Sequence, residues 1–191
     1  MRHSPPRLLC RGFIATTAIL LLAACSKPRV PNQYSDSEQL PHIFPEYTGV
    51  TVPVNIAPLT FTIEEEGTDF VTRFTSAGRE WLYAGQDVCP TPKQWRQMVN
   101  ESRDIMVEVF VGTNGKWQRK MPFAIHVSPD SIDPYIAYRL IAPSYVTYED
   151  LTINQRCLEN YDESLIYGNM ANSDETDGQC INCHAYQQYN P

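Results

Sequence analysis

The sequence predicts a mainly β protein, and three observations lead to this fold class. About seven short runs alternate in polarity or are rich in β-branched and aromatic residues, with turn residues between them about every eight to twelve positions. Helix signals occur in one segment only, and the 15 prolines favour turns over long helices. This pattern is typical of an antiparallel, immunoglobulin-like β-sandwich with one short helix.

The first 24 residues have the pattern of a signal peptide. Three arginines (Arg2, Arg7 and Arg11) precede an almost entirely apolar or small run, residues 12–24, which is short for a bilayer span. The sequence Leu22-Ala23-Ala24-Cys25 resembles the lipobox of bacterial lipoproteins. The resemblance implies a lipid on the Cys25 thiol and attachment to a membrane of the cell envelope, inner or outer. An uncleaved anchor with an incidental cysteine is the alternative.

The rest of the chain divides into three parts by composition. Residues 25–40 are rich in Ser, Pro, Asn, Gln and Asp, which predicts a flexible, disordered tether. The β-rich runs predict a folded domain over residues 41–168, followed by an irregular tail over residues 169–191.

The charge of the mature chain is acidic. Three of the 15 Lys and Arg residues and none of the 22 Asp and Glu residues precede Cys25, so the part after the signal has a net charge of −10. Nucleic-acid binding needs concentrated positive charge, so the sequence argues against a nucleic-acid partner. The expected partners are a membrane, through the lipid, and a redox or envelope protein.

Each predicted element has a local signal. Asn114-Gly115 predicts a hairpin between the clearest strand and a returning strand, and Thr91-Pro92 with Gln94 predicts a capped helix over residues 91–100. The triplet Glu64-Glu65-Glu66 is interpreted as a solvated turn. The predicted strands are residues 50–54, 59–63, 70–74, 80–83, 105–111, 116–127, 135–141 and 151–158.

Two cysteines lie within the predicted domain. Cys10 leaves with the signal peptide, whereas Cys89 and Cys157 remain. Because the compartment outside the cytoplasmic membrane is oxidising, these two thiols could form a disulfide, provided that the fold brings their Cα atoms within reach.

The tail carries the c-type haem attachment pattern, Cys180-Ile181-Asn182-Cys183-His184. Two thiols three residues apart can reach the two vinyl groups of one haem, and the next imidazole then lies under the iron as axial ligand. Cys180, Cys183 and His184 are therefore the candidate cofactor site, with His184 as the metal ligand. Met170 and His126 are weaker candidates for the sixth iron ligand.

Three other interpretations of the Cys pair stay open. It could be a structural disulfide or a redox thiol pair, it could contribute to a zinc site, or it could lie in a linker without a cofactor. The redox pair lacks a thioredoxin-like strand–helix context, and zinc lacks a recognisable set of further ligands.

Several segments together resemble the N-terminal region of bacterial envelope lipoproteins of the TolB-like propeller type, some of them labelled cytochrome c-like. These segments are residues 43–53, 55–59, 133–141, 153–156 and 180–186. The resemblance implies a β-rich domain leading into the Cys-x-x-Cys-His segment, with a WD40-like propeller after it. This sequence contains no such propeller, so we expect a truncated or split gene product or a natural short form.

The leading hypothesis is a lipid-anchored, periplasm-facing haem c protein that transfers electrons. The alternative is an envelope scaffold lipoprotein whose β domain docks a partner and whose Cys pair is a disulfide. A glycan-handling lipoprotein is a third hypothesis, which rests on fold analogy alone. The sequence shows no nucleophile elbow, metalloprotease helix or acid–base pair, so an enzyme activity is not predicted.

Overall fold

The computed structural model describes residues 27–141, 151–169 and 171 of the chain. These residues form three sheets and one α-helix, so the mainly β class with one helix is confirmed. The strands are β1 (Ser35–Asp36), β2 (Ile43–Phe44), β3 (Thr51–Pro53), β4 (Phe61–Ile63), β5 (Asp69–Ser76), β6 (Arg79–Ala84), β7 (Asp87–Val88), β8 (Asp104–Thr113), β9 (Lys116–Arg119), β10 (Phe123–Ser128), β11 (Tyr135–Leu140), β12 (Thr152–Cys157) and β13 (Glu163–Gly168).

The large sheet is built around β8. On one side β8 pairs with β5, which pairs with β6, and on the other side it pairs with both β9 and β10. The outer edge is formed by β1 along β9 and by β3 along β10, both in parallel. Eight of the ten strand pairs in the described part of the chain are antiparallel, so the predicted antiparallel pairing holds except at this edge.

The returning strand of the predicted hairpin is interrupted. Asn114 and Gly115 both have positive φ, 53° and 75°, as the predicted turn requires. Phe110 pairs with Arg119 but Val107 pairs with Phe123, so the returning side has one more residue than β8 over this stretch. This extra residue is a bulge just before β10, where Pro122 has no N–H to contribute to the ladder.

The core lies between the large sheet and a second layer. One face of β8 contributes alternating aliphatic residues, and the second sheet (β2–β4–β7) covers them together with the helix α1 (Pro92–Glu101). Their packing removes apolar area from water, the dominant stabilising term. The fully buried core side chains include Ile63, Phe74, Val88, Trp95, Met98, Ile105, Val107 and Ile125.

Helix α1 forms as the sequence predicts. The Thr91 side chain accepts from the Gln94 N–H, and the Gln94 side chain accepts from the Thr91 N–H, which completes the capping box. The indole N–H of Trp95 donates to the Ile56 carbonyl at 2.9 Å, and Ser76 donates its hydroxyl to the Met98 carbonyl at 2.8 Å. These bonds fix the helix to the end of β5 and to the segment that follows β3.

The second half of the expected tether belongs to the large sheet, which corrects the prediction of a disordered segment over residues 25–40. Ser35 and Asp36 pair with β9, the Ser37 N–H donates to the Arg119 carbonyl, and the Met121 N–H donates to the Gln39 carbonyl. The Tyr34 ring lies 5.1 Å from that of Phe110, edge to face. A polar composition concealed this docking, because one aromatic residue and main-chain pairing carry it.

The third sheet (β11–β12–β13) is tied to the body through the segment after β3. The Ala57 N–H donates to the Leu158 carbonyl at 2.7 Å, and the Asn55 side chain both donates to and accepts from the backbone of Ile132. Among the described residues, no helix is long and apolar enough to cross a membrane.

Candidate functional site

The predicted attachment residues Cys180, Cys183 and His184 lie outside the described residues, as do Cys25 and Met170. Their roles as haem ligands and lipid site therefore stay predictions. The described chain ends at Ala171, nine residues before Cys180, so the part of the structure that bears most directly on the motif is the third sheet.

A turn follows β13 and reverses the chain. The buried Asn169 donates its N–H to the Leu151 carbonyl at 3.0 Å, which holds it beside the start of β12. The Ala171 N–H then donates to the Gly168 carbonyl at 3.0 Å, the closing bond of a β-turn. The described chain therefore ends beside the start of β12.

One side of the third sheet presents uncovered aliphatic side chains. Register places Ile136 opposite Arg156, Leu140 opposite Thr152 and Leu165 opposite Asn154. Residues directly opposite each other and residues two apart share a face, so the three aliphatic side chains point the same way. We call Ile136, Leu140 and Leu165 the aliphatic face; they are 48%, 48% and 63% exposed.

Polar side chains share this face with the aliphatic ones: Tyr138 lies between Ile136 and Leu140 on β11, and Arg156 lies between Ile136 and Glu163 across the sheet. The Arg156 guanidinium lies 5.6 Å from the centre of the Tyr161 ring. A hydrogen bond with Glu163 raises the pKa of Tyr138, and burial raises the pKa of Tyr161. At neutral pH both phenols are therefore protonated.

A cleft of about 280 Å³ lies where the third sheet meets the body. Helix α1 lines it with Trp95, Arg96 and Asn100, and Asn55 and Glu159 close it with a bond of 3.1 Å between the Asn55 amide and the Glu159 carboxylate. Its volume is at the lower limit for small-molecule sites, and two of its polar groups, Asn55 and Glu159, are engaged in fixing the third sheet.

His126, considered as an iron ligand, is exposed on β10 of the large sheet. Its Nδ1 lies 2.6 Å from an Asp104 carboxylate oxygen, so one ring nitrogen already has a partner. No group of three or more His, Cys, Asp or Glu side chains in the described ranges is placed to hold a metal ion.

Cys89 and Cys157 both carry free thiols, so the disulfide considered for them is not formed in this structure. The fold assigns them to different sheets. Cys89 follows β7 in the second sheet and is exposed, whereas Cys157 ends β12 in the third sheet and is half-buried. Sequence spacing carries no information on this separation.

The acidic triplet is only partly the solvated turn that we expected. Glu64 and Glu66 are exposed, but Glu65 accepts from the His42 N–H at 2.9 Å and pairs with the Lys120 ammonium at 2.7 Å. Glu65 therefore joins His42, just before β2, to Lys120 in the bulge between β9 and β10.

Sequence reasoning missed the aliphatic face. β13 was not predicted, because its run Ser164-Leu165-Ile166-Tyr167 is short and a register shift opposite Ile153 and Asn154 breaks its alternation. The spacing of Ile136 and Leu140, four residues apart in a predicted strand, was the available signal for a shared face.

No protein-family model, curated protein or solved structure matches this chain. Function is therefore inferred from the chemistry of the residues and from where the fold positions them.

Proposed function

We propose that this chain is a lipid-anchored, periplasm-facing protein that binds haem c and transfers electrons. The observation that carries the proposal is the intact motif Cys180-Ile181-Asn182-Cys183-His184 behind a signal peptide and a lipobox-like Cys25. Export and c-type haem attachment belong to the same side of the cytoplasmic membrane, so the two signals are consistent.

The donor set suits an iron porphyrin. Cys180 and Cys183 would hold the porphyrin through thioethers, each made by addition of an S–H across a vinyl group, and the His184 imidazole would supply a nitrogen ligand to the iron. A bound haem supplies one-electron chemistry, and no acid–base group of the chain is needed for it.

Two features of the described residues support the proposal. The described chain ends at Ala171, nine positions before Cys180 and beside the start of β12 in the third sheet, and the exposed aliphatic side chains of that sheet offer apolar surface of the kind that a haem needs for cover. We infer further that the carrier domain is a variant of the immunoglobulin-like sandwich. We also propose that the chain is related to the TolB-like propeller lipoproteins.

The test is the full chain produced with the c-type maturation machinery and purified from membranes. We expect a Soret absorption band and a peptide containing Cys180 and Cys183 that is heavier by one haem, both lost in Cys180→Ser/Cys183→Ser. A His184→Ala chain controls for axial ligation. A colourless wild-type protein under these conditions overturns the proposal.

The second candidate is an envelope scaffold lipoprotein without haem. The uncovered aliphatic side chains of the third sheet favour it, because exposed apolar surface also serves protein partners. Mass spectrometry separates the two functions, since a disulfide between Cys180 and Cys183 removes two hydrogens from the peptide and adds nothing.

A further inference from the structure

We propose that two copies of this chain associate through strand β6 (Arg79–Ala84), the edge of the large sheet. The strand pairs antiparallel with the same strand of the second copy about a two-fold axis at Leu82, so the large sheet continues from one copy into the other. This association needs no cofactor and is therefore independent of the proposed function.

The first argument is the hydrogen-bond pattern of β6, which is set by its hairpin with β5. The two turn residues, Ala77 and Gly78, both have positive φ, 48° and 79°. In a two-residue hairpin the residues that flank the turn, here Ser76 and Arg79, exchange both backbone bonds, and every second pair beyond them does the same.

The N–H and C=O groups of Glu80, Leu82 and Ala84 therefore point away from β5. The Gly85 N–H donates to the Phe70 carbonyl at 3.0 Å, as this alternation requires at the far end of the hairpin. Among the described residues, the outward groups have no hydrogen-bond partner and β6 has no strand neighbour except β5. Such a row of unpaired backbone groups is a template for a further strand.

The other ends of the large sheet are better protected than β6. They are formed by β1, which has two residues, and by β3, which has three and ends at Pro53. Short edge strands and prolines prevent pairing with another chain. β6 has six residues in unbroken register with β5, and its two charged side chains, Arg79 and Glu80, are already paired with Glu101 and Arg73.

The second argument is that β6 is complementary to itself. With Leu82 opposite Leu82 of the second copy, Glu80 lies opposite Ala84, so no like charges face each other and the outward groups exchange backbone bonds pairwise. Trp81 then lies opposite Tyr83 of the second copy. Both rings are half-buried on the core side of the sheet, and aromatic pairs across neighbouring strands stabilise their pairing.

The third argument is the position of helix α1 beside this edge. The Tyr83 hydroxyl donates to Gln94 near the start of the helix, and Arg79 pairs with Glu101 at its end at 3.0 Å. The helix therefore runs along β6 in the opposite direction. A two-fold axis through the paired strands places the two helices antiparallel on the same side of the continued sheet, so the layer that covers the core continues as well.

The first experiment is disulfide cross-linking of the full chain in detergent, in a background where the exposed Cys89 is replaced by Ser. Opposite residues of a hydrogen-bonded pair have Cα atoms about 5.5 Å apart, within the range of a disulfide. Two Ala84 residues would lie about 14 Å apart, four residues out of register. We therefore expect Leu82→Cys to form a linked dimer about tenfold faster than Ala84→Cys, the matched control.

A mixture of two variants tests the register further. Glu80→Cys and Ala84→Cys chains should link to each other faster than either links to itself, because the two-fold axis places these positions opposite each other. Mass spectrometry of the linked peptides identifies the pairs.

The second experiment measures the dimer dissociation constant by sedimentation at concentrations up to about 100 µM. Leu82→Pro removes an N–H that points away from β5, so the hairpin tolerates it but a further strand cannot pair there. We expect the dissociation constant to rise at least about tenfold in Leu82→Pro and to change less in Leu82→Ala, which keeps the N–H. Circular dichroism verifies that each variant is folded.

A wild-type chain that stays monomeric at the highest concentration overturns the proposal, and so does a dimer in which Leu82→Cys links no faster than Ala84→Cys. Linkage of Leu82→Cys to a different protein in membranes assigns the edge to that partner and also overturns it. If Leu82→Pro does not fold, the cross-links alone decide. A colourless chain that dimerises through β6 defeats the proposed function only, and a haem-bearing monomer defeats the association only.

Discussion

Thr72 places a hydroxyl in the core without a hydrogen-bond partner among the described residues. The side chain lies on β5 on the same face as Phe74, where alternation predicts an apolar residue. A buried hydroxyl without a partner costs about 1–3 kcal/mol in desolvation. Thr72 is therefore a position where the chain is less stable than its fold allows.

We expect Thr72→Val to stabilise the protein by about 1 kcal/mol, because valine keeps the branched shape and removes the unpaired hydroxyl. The measurement is the midpoint and slope of urea unfolding. Thr75→Val is the control, since Thr75 lies on the other, partly solvated face of the same strand and should change stability by less than about 0.5 kcal/mol. A loss of stability in Thr72→Val would contradict an unpaired hydroxyl.

Tyr83 shows how packing changes the acidity of a single side chain. Its ring lies 5.5 Å from that of Phe74, edge to face, and its hydroxyl donates to the Gln94 side chain at 3.2 Å. Burial raises the pKa of Tyr83 from 10.0 to about 12. The neutral phenol is thus favoured in the folded state over the unfolded state.

This shift predicts a stability loss at high pH. The contribution of Tyr83 is fully present below pH 10 and is lost as the pH rises toward about 12, because only the unfolded chain releases the proton in that interval. In unfolding measurements between pH 9 and 12, stability should fall less steeply in Tyr83→Phe than in wild type. Tyr135→Phe, at an exposed position, should leave the slope unchanged.

At the scale of elements, five strands of the large sheet are joined by one row of alternating charges. The row runs from Glu80 on β6 through Arg73, Glu108 and Arg119 to Asp36 on β1. Arg73 pairs with Glu80 at 3.1 Å, and Arg119 pairs with Glu108 at 3.0 Å and with Asp36 at 2.8 Å. Hydrogen bonds to Asp36 and Glu108 raise the pKa of Arg119.

We expect the carboxylate in the middle of this row to contribute more to the free energy of unfolding than the carboxylates at its ends. Glu108 is buried between two guanidinium groups, so Glu108→Gln should cost about 2 kcal/mol in the free energy of unfolding. Glu80→Gln and Asp36→Asn remove exposed carboxylates and should each cost less than about 1 kcal/mol. Urea unfolding at low and high salt measures this, and equal costs at all three positions would contradict it.

The sequence predicts elements well where a local signal specifies them. The capping residues locate α1, and alternation with Asn114-Gly115 locates β8 and its hairpin. The two-residue strands β1, β2 and β7 were missed, because two residues cannot show a period. The split between β9 and β10 was missed because a bulge depends on the neighbouring strands as well as on Pro122.

At the scale of the whole molecule, sequence composition misplaced the start of the folded part. Phe110 is completely buried on the face of β8 that lies away from the core, and Tyr34 from the expected tether packs against it. The Arg119 guanidinium lies 5.2 Å from the centre of the same Tyr34 ring. Tyr34 docks on a surface that exists only once the large sheet has formed. No local sequence pattern therefore predicts this contact.

Tyr34→Ala therefore tests where the fold begins. A docked segment predicts a loss of about 1–2 kcal/mol, because the edge contact with Phe110 and the cation–π contact with Arg119 both disappear. We expect faster hydrogen exchange of the Ser37 N–H, which donates to the Arg119 carbonyl, and a lower urea midpoint. Leu40→Ala, similarly exposed in the same segment, is the control. If Tyr34→Ala matches wild type in both measurements, residues 27–40 are a free tether and the folded domain begins after them.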